Sequence, residues 1–250
     1  MLPFERLRAL ARYSGDDAEL VAEAADCLAD FSADPAQLVT VCRRLLAHHP
    51  SSGPLWWTCA QVLAASDPAT GAREATRLLA RARTATRLAS LLPFPHDDAI
   101  AILGWPDTTG AALVERPDLD VVSVRAGHRR LRAAERRVRV LDLVEAIAAS
   151  PSHLLVEVLA AGSTSAVVPD GVADLRWSLS EAKLWLVVPT GRLLPDRLFE
   201  VLQRQLGDRD DVEMIEVGTA DEVAGPWGLD APARLGIHAD CPVAPELLRL

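Results

Sequence analysis

The sequence predicts an α/β protein in two parts, a helical first third followed by a mostly parallel sheet with helices on both faces. Three observations carry that expectation. Between residues 3 and 90 apolar side chains recur at i, i+3, i+4 spacing, the period of a helix with one buried face. Past Leu91-Leu92-Pro93-Phe94-Pro95 the pattern changes to short apolar runs separated by stretches suited to helices, the alternation of a parallel sheet. The material for a core is present: 250 residues, 50% hydrophobic, at a mean hydropathy of +0.13. Aromatics are only 4%, so that core rests mainly on Leu, Val and Ala. The expected units are a helical domain, 1–92, and a sheet domain, 93–250.

The helical elements follow in order. Asp16 and Asp17 precede Leu20, Val21, Ala24, Ala25 and Leu28, a stripe with acidic residues where a helix N-terminus favours them. Ser32-Ala33-Asp34-Pro35 offers an N-cap with Pro at the first helical position, and Leu38, Val41, Cys42, Leu45 and Leu46 continue on one face. His49-Pro50-Ser51-Ser52-Gly53-Pro54 breaks that helix. Residues 55–65 form another, and Asp67-Pro68 starts one that runs through Arg73, Leu78 and Leu79.

Strands are expected at 99–103, 119–124, 138–143, 153–159, 165–168 and 184–188. Helical segments fit 109–115, 128–136 and 174–182 between them. A helix at 195–206 and a strand-like run at 212–217 precede a tail rich in Pro and Gly, expected to be irregular.

Charge and cysteine usage narrow the function. The net charge of −9 gives no global attraction to a polyanion, so no nucleic-acid partner is expected. Lysine occurs once, at Lys183, and arginine supplies the rest of the 26 basic residues, so an oxyanion would be met by guanidinium groups. Cys27, Cys42, Cys59 and Cys241 are scattered without a CxxC, which argues against a disulfide framework. Cys42, His48, His49 and Cys59 lack zinc-finger spacing, and no metal or cofactor is expected. No apolar run approaches the ~20 residues that span a bilayer and no basic-then-apolar leader opens the chain, so a cytoplasmic protein with no membrane partner is expected.

Two strand exits concentrate the candidate site. The run 99–103 ends in Gly104 and leads to Asp107, Thr108, Thr109 and Gly110, where backbone N–H groups and two hydroxyls could meet an anion at a helix N-terminus. The competing reading has Asp107 or Thr108 simply capping the helix. The run 155–159 leads to Gly162, Ser163, Thr164 and Ser165, read as a second loop able to hold a phosphate or sugar. Arg129, in Arg125-Ala126-Gly127-His128-Arg129-Arg130, and Arg192, after Pro189-Thr190-Gly191, are the basic candidates, weighed against solvated helix faces. Trp56-Trp57 reads as core or as an interface anchor. No P-loop, G-x-S-x-G, H-E-x-x-H or G-x-G-x-x-G occurs.

The order of 99–113, 119–124, 138–142, 155–174 and 184–190 resembles the translation initiation factor 2B alpha/beta/delta-subunit-like family. That family includes the methylthioribose-1-phosphate and ribose-1,5-bisphosphate isomerases, within the sugar-phosphate isomerase and CoA-transferase-like fold. The resemblance implies an N-terminal helical domain, a Rossmann-like domain and a homodimer. It also implies an Arg near a ligand phosphate at the Arg125–Arg130 stretch and an acidic residue at Asp142.

Departures from the isomerase pattern decide the expected function. Where the isomerases carry a catalytic Cys in a Thr-His-Cys-Asn-like turn, this chain has Gly104-Trp105-Pro106-Asp107, with Asp107 nearest the thiol position. Where a Gly-Ala-Asp turn supplies the catalytic Asp, it has Gly162-Ser163-Thr164. The Lys of the following Asn-Gly-x-x-x-Asn-Lys element is absent from Pro169-Asp170-Gly171-Val172-Ala173-Asp174-Leu175. Moving a proton between adjacent carbons needs a titratable acid and base, which Thr hydroxyls do not replace.

The expectation is therefore a non-catalytic binding or regulatory homodimer with a pocket for a phosphorylated sugar or nucleotide. Gly104, Asp107 to Gly110 and Gly162 to Ser165 would line it, with Arg129 or Arg192 on a phosphate. One alternative is an isomerase with a rebuilt acid/base pair, Asp107 with Asp142 or Asp170, which requires the carboxylates to face one cavity. The other is an interaction module that presents Trp56 and Trp57 to a partner.

Overall fold

The computed structural model describes residues 3–124 and 138–249. The chain begins with helices α1 (Pro3–Leu10), α2 (Asp17–Asp30), α3 (Pro35–His48), α4 (Gly53–Ala64), α5 (Pro68–Ala80) and α6 (Thr84–Leu91). Short acidic side chains start three of them. Asp16 Oδ1 accepts from the Ala18 N–H at 2.6 Å, Asp34 accepts from Ala36 and Gln37, both at 3.1 Å, and Asp67 accepts from Thr70 at 3.2 Å. Pro35 and Pro68 stand in the first turn, where the missing N–H costs nothing.

Helix α4 is the centre of this layer, buried along nearly its whole length from Gly53 to Ala60 and at Val62. A helix apolar all round must be enclosed, and α2 and α5 pack on it. Trp56 and Trp57 are 0% and 1% exposed, so they are core and not a surface offered to a partner. The Trp56 indole donates to the Pro50 carbonyl at 2.9 Å. This core continues into Leu194, Leu198, Phe199 and Leu202 and into Cys241 and Leu247 near the end of the chain.

The sheet follows, with β1 (Ala99–Leu103), α7 (Asp107–Val114), β2 (Asp120–Val124), β3 (Arg139–Leu141), α8 (Leu143–Ala149) and β4 (His153–Glu157). Next come β5 (Ala160–Ala161), β6 (Ser165–Pro169), α9 (Val172–Ser178), β7 (Lys183–Val187), α10 (Asp196–Leu206), β8 (Val212–Glu216), β9 (Glu222–Gly225) and β10 (Gly228–Asp230). Within the described residues a seven-stranded sheet has the order β10-β9-β7-β4-β1-β2-β3. All its pairings are parallel except β9 with β10.

Both faces of the sheet are covered. Ala101, Val122, Leu154, Val156, Leu184 and Leu186 share one core with α8 and α9, while Ile100, Ile102, Val121, Leu155, Trp185 and Val187 share another with α6 and α7. Period-two alternation between two apolar cores explains why the strands read as unbroken apolar runs.

Several expectations shift. The run at 165–168 is a strand, but it pairs antiparallel with β5 and β8 in a separate three-stranded sheet. The run at 138–143 yields only β3, because Asp142 turns the chain into α8 with a reciprocal capping box: Glu145 N–H to Asp142 at 2.9 Å and Asp142 N–H to Glu145 at 3.0 Å. The tail holds β9 and β10 together with 3-10 turns. Its Gly-rich stretch turns tightly at Gly228 (φ +120°), a conformation that L side chains rarely adopt. The helical segment expected at 128–136 lies outside the described residues.

At the opposite edge from the strand exits, His153 is held between Asp98 and an aromatic pair. Phe94 stacks on its ring at 4.1 Å. The Trp185 indole donates to Nδ1 at 3.1 Å, which leaves the proton on Nε2, 3.1 Å from the Asp98 carboxylate. Burial holds the pKa of His153 below the ordinary histidine value, against the opposing pull of Asp98. The unfolded chain takes up a proton here below about pH 6.5 while the folded chain resists it. Stability is expected to fall as pH drops from about 7 toward 5.5, and urea titrations across that range should show a flatter slope in His153→Gln. An unchanged slope would place the acid sensitivity elsewhere.

Candidate functional site

The chain order places β2 and β3 on one side of β1, then returns to put β4 on the other. The carboxyl ends of β1 and β4 therefore flank the point where the winding reverses, the place where such sheets open a crevice. Here the crevice has two connected chambers roofed by the helical layer. The inner one, about 260 Å³, is lined by Asp16, Asp17, Ser52, Gly104, Trp105, Asp107, Glu157 and Arg192, among others. The outer one, about 390 Å³, shares Asp17, Asp107 and Arg192 and adds Pro54, Thr84, Thr108 and Thr190.

The first strand exit builds one wall. Gly104 takes φ +61°, where glycine alone is comfortable, and its N–H donates to the Val124 carbonyl at 2.8 Å while its own carbonyl accepts from Ser123 Oγ at 2.6 Å. Helix α7 starts earlier than expected, with Pro106 as its N-cap and no side-chain cap. Asp107 and Thr108 consequently sit within the first turn and face the crevice, where the carboxylate complements the helix dipole. Thr109 and Gly110 are buried behind them. A Cβ on Gly110 would come within 2.5 Å of the Trp105 indole nitrogen, so this glycine exists to seat Trp105.

The central group belongs to no motif in the sequence. Glu157, at the end of β4, is 4% exposed. Its Oε2 accepts from the Thr109 N–H at 2.7 Å and from Thr109 Oγ1 at 3.0 Å. Its Oε1 lies 3.4 Å from Arg192 Nη2. Arg192 in turn donates from Nη1 to the Val158 carbonyl at 2.8 Å. The signal was visible: a carboxylate inside a run of buried strand must have a partner in the fold.

The second turn goes elsewhere. Beta-strand β4 ends at Glu157, and Gly162 to Ser165 form the tip of the antiparallel β5–β6 hairpin, with the Gly162 N–H donating to the Ser165 carbonyl at 2.9 Å. Asp196 at the start of α10 grips the tip, accepting from the Ser163 N–H at 2.8 Å and Ser163 Oγ at 2.9 Å. Neither chamber is lined by Gly162, Ser163, Thr164 or Ser165.

The remaining candidates divide. Arg192 reaches both chambers. Arg129 lies outside the described residues, which break off at Val124 on the carboxyl edge of the sheet. Asp142 is occupied as the cap of α8, and Asp170 is exposed with its N–H on the Asp211 carbonyl. Neither lines the crevice, so the carboxylates needed for a rebuilt acid/base pair do not face one cavity. Cys42 and Cys59 are fully buried, and the Cys42 thiol and burial together push Cys59 well above the ordinary thiol range. Among the described residues no cluster of His, Cys, Asp and Glu is placed to hold a metal ion, and no helix is long and apolar enough to cross a membrane.

No protein-family model matches the sequence, and no curated protein matches it. Solved structures do match in fold. The chain is similar to eIF2B beta from Chaetomium thermophilum, with TM-score 0.71 and 14% identity over 98% of this chain and 92% of that one. It is similar to a chain of the tetrameric eIF2B-beta2-delta2 complex from the same organism, with TM-score 0.74 and 14% identity over 94% and 92%. Against the translation initiation factor eIF-2B of Pyrococcus horikoshii OT3 the TM-score is 0.73, with 12% identity over 93% and 98%. The α/β fold, helical layer included, is thus that of the initiation-factor-2B subunits.

Proposed function

We propose that this chain is a divergent, non-catalytic member of the initiation-factor-2B-like family, a cytoplasmic homodimer that binds a phosphorylated sugar or nucleotide in the crevice. The observation that carries the reading is the engagement of Glu157. The buried carboxylate at the strand exits has one oxygen on Thr109 and the other beside Arg192. A general acid or base must exchange a proton with its substrate, and both oxygens of this one are held by the fold. The resemblance sets Asp107 nearest the isomerase thiol position, where a carboxylate cannot act as that nucleophile, and Thr164 sits on a hairpin tip outside the crevice. The full-length likeness to subunits of an oligomeric factor supports a role in binding and assembly.

The test is thermal denaturation with ribose 5-phosphate, ribose 1,5-bisphosphate, AMP and GMP, alongside an aldose–ketose conversion assay. A ligand at a hundred times its Kd stabilises by about 2.7 kcal/mol, a midpoint rise of roughly 5–10 °C for a chain of this size. The expected result is such a rise with one of these compounds and no turnover. Conversion that disappears in Asp107→Asn would overturn the non-catalytic reading. Sedimentation of the free protein checks the dimer.

A further inference from the structure

The ends of α1 and α3 enclose a groove of about 280 Å³, lined by Phe4, Leu7, Arg8, Ala11, Arg44 and His48. It is separate from the crevice, because none of these residues lines either chamber. His49 Nε2 donates to the Leu10 carbonyl at 2.7 Å, which pins the end of α3 to the end of α1. The walls of the groove are thus fixed by the fold.

The groove is one-sided in charge. Two arginines and a histidine line it and no carboxylate does, in a chain whose net charge is −9. Arg8, Arg44 and His48 are exposed and make no hydrogen bond or ion pair with the described residues. Their neighbours on the same helices are engaged: Arg6 pairs with Asp30 at 3.4 Å, and Arg43 donates to the Glu246 carbonyl at 2.6 Å. Arg8 and His48 stand in the last turns of their helices, where a cation offsets the dipole. That accounts for their sign and leaves the guanidinium donors uncommitted.

The floor is a second, independent observation. Leu7 is buried and Ala11 half-buried, while Phe4 is 54% exposed with its ring held edge-on against Phe31 at 5.3 Å. A large aromatic fixed in place and left half in water offers apolar area to a partner at little cost in order. Pockets for drug-sized ligands begin at about 300 Å³, so this one takes a single bulky side chain.

We propose that the groove docks an acidic segment of a partner protein, one bulky apolar side chain resting on Phe4, Leu7 and Ala11 and the flanking carboxylates on Arg8 and Arg44. A guanidinium meets a carboxylate through two parallel N–H donors, which fixes direction as well as charge. A nucleic-acid strand needs a row of phosphate contacts, and two arginines around an apolar floor do not supply one.

Fluorescence anisotropy on the full chain tests it with fluorescein-labelled peptide pools. One pool has a central Phe or Leu flanked by Asp and Glu, a second puts Ser in place of the apolar residue, and a third puts Lys in place of the acids. The first is expected to bind about tenfold more tightly than either control, and more weakly as salt rises. Arg8→Ala and Arg44→Ala should each weaken it about tenfold, the loss of one charge-assisted contact. Neither should move the melting midpoint of the free protein, since both side chains are exposed. Equal binding of the first pool and a control, binding indifferent to both arginine substitutions, or no binding at all overturns the inference. So does a short single-stranded DNA whose binding Arg44→Glu abolishes, or a dimer that Arg44→Glu takes apart in sedimentation, because the groove then serves a nucleic acid or a second copy of this chain. The ligand tests of the crevice do not depend on any of these results, so the two readings stand or fall separately.

Discussion

Replacing Arg192 with Met is expected to destabilise the protein by about 3–5 kcal/mol, because it leaves Glu157 as an uncompensated buried charge. The two side chains are 11% and 3% exposed, so solvent screens the pair little. Glu157→Gln removes the same attraction from the other side while a neutral oxygen can still accept from Thr109. The double variant should be less destabilised than the sum of the singles, since it leaves no unpaired charge behind. Urea denaturation of all four proteins measures this cycle. A loss below about 1 kcal/mol in Arg192→Met would show that water reaches Glu157 and that the crevice floor is wetter than the structure implies.

Trp56→Ala carries the second large effect, a loss of about 3–5 kcal/mol, through the cavity left at the centre of α4. The substitution also orphans the Pro50 carbonyl, which now accepts from the indole. Trp177 provides the contrast. At 85% exposed on α9, its replacement by Ala should change stability by no more than about 0.5 kcal/mol. Thermal midpoints of the two variants, compared with the parent, check both expectations. Near-equal shifts would mean that the helical layer packs differently from the arrangement described.

These two sites show unequal legibility in the sequence. The burial of Trp56 follows from neighbours that are apolar on every side of α4, a pattern that only an enclosed helix satisfies. The bond between Glu157 and Arg192 joins residues on separate strand exits, and no local spacing announces such a pair. Gly162 to Ser165 mislead for a related reason. Small and hydroxyl residues suit a phosphate loop and a hairpin tip equally well, and the choice here depends on Asp196, thirty-three residues past Ser163, arriving to accept its N–H and hydroxyl. The strands β9 and β10 were hidden in a Pro- and Gly-rich tail because β9 forms only where β7 offers it a free edge.

Apolar period and capping chemistry act within a few residues, and for that reason the fold class, the starts of α3 and α5, the central strand β1 and the helix α10 could be read from residue order alone. The likeness of the sequence to the initiation-factor-2B group also pointed to the fold that the solved structures share. Which of two similar strand exits opens on a crevice was settled by packing. It placed Asp107 and Arg192 there, sent Thr164 to a hairpin, and drew in Asp17 and Ser52 from the helical layer. A crevice forms where β1 and β4 part company beneath α2 and α4, a juxtaposition of segments far apart in the chain that no local pattern encodes.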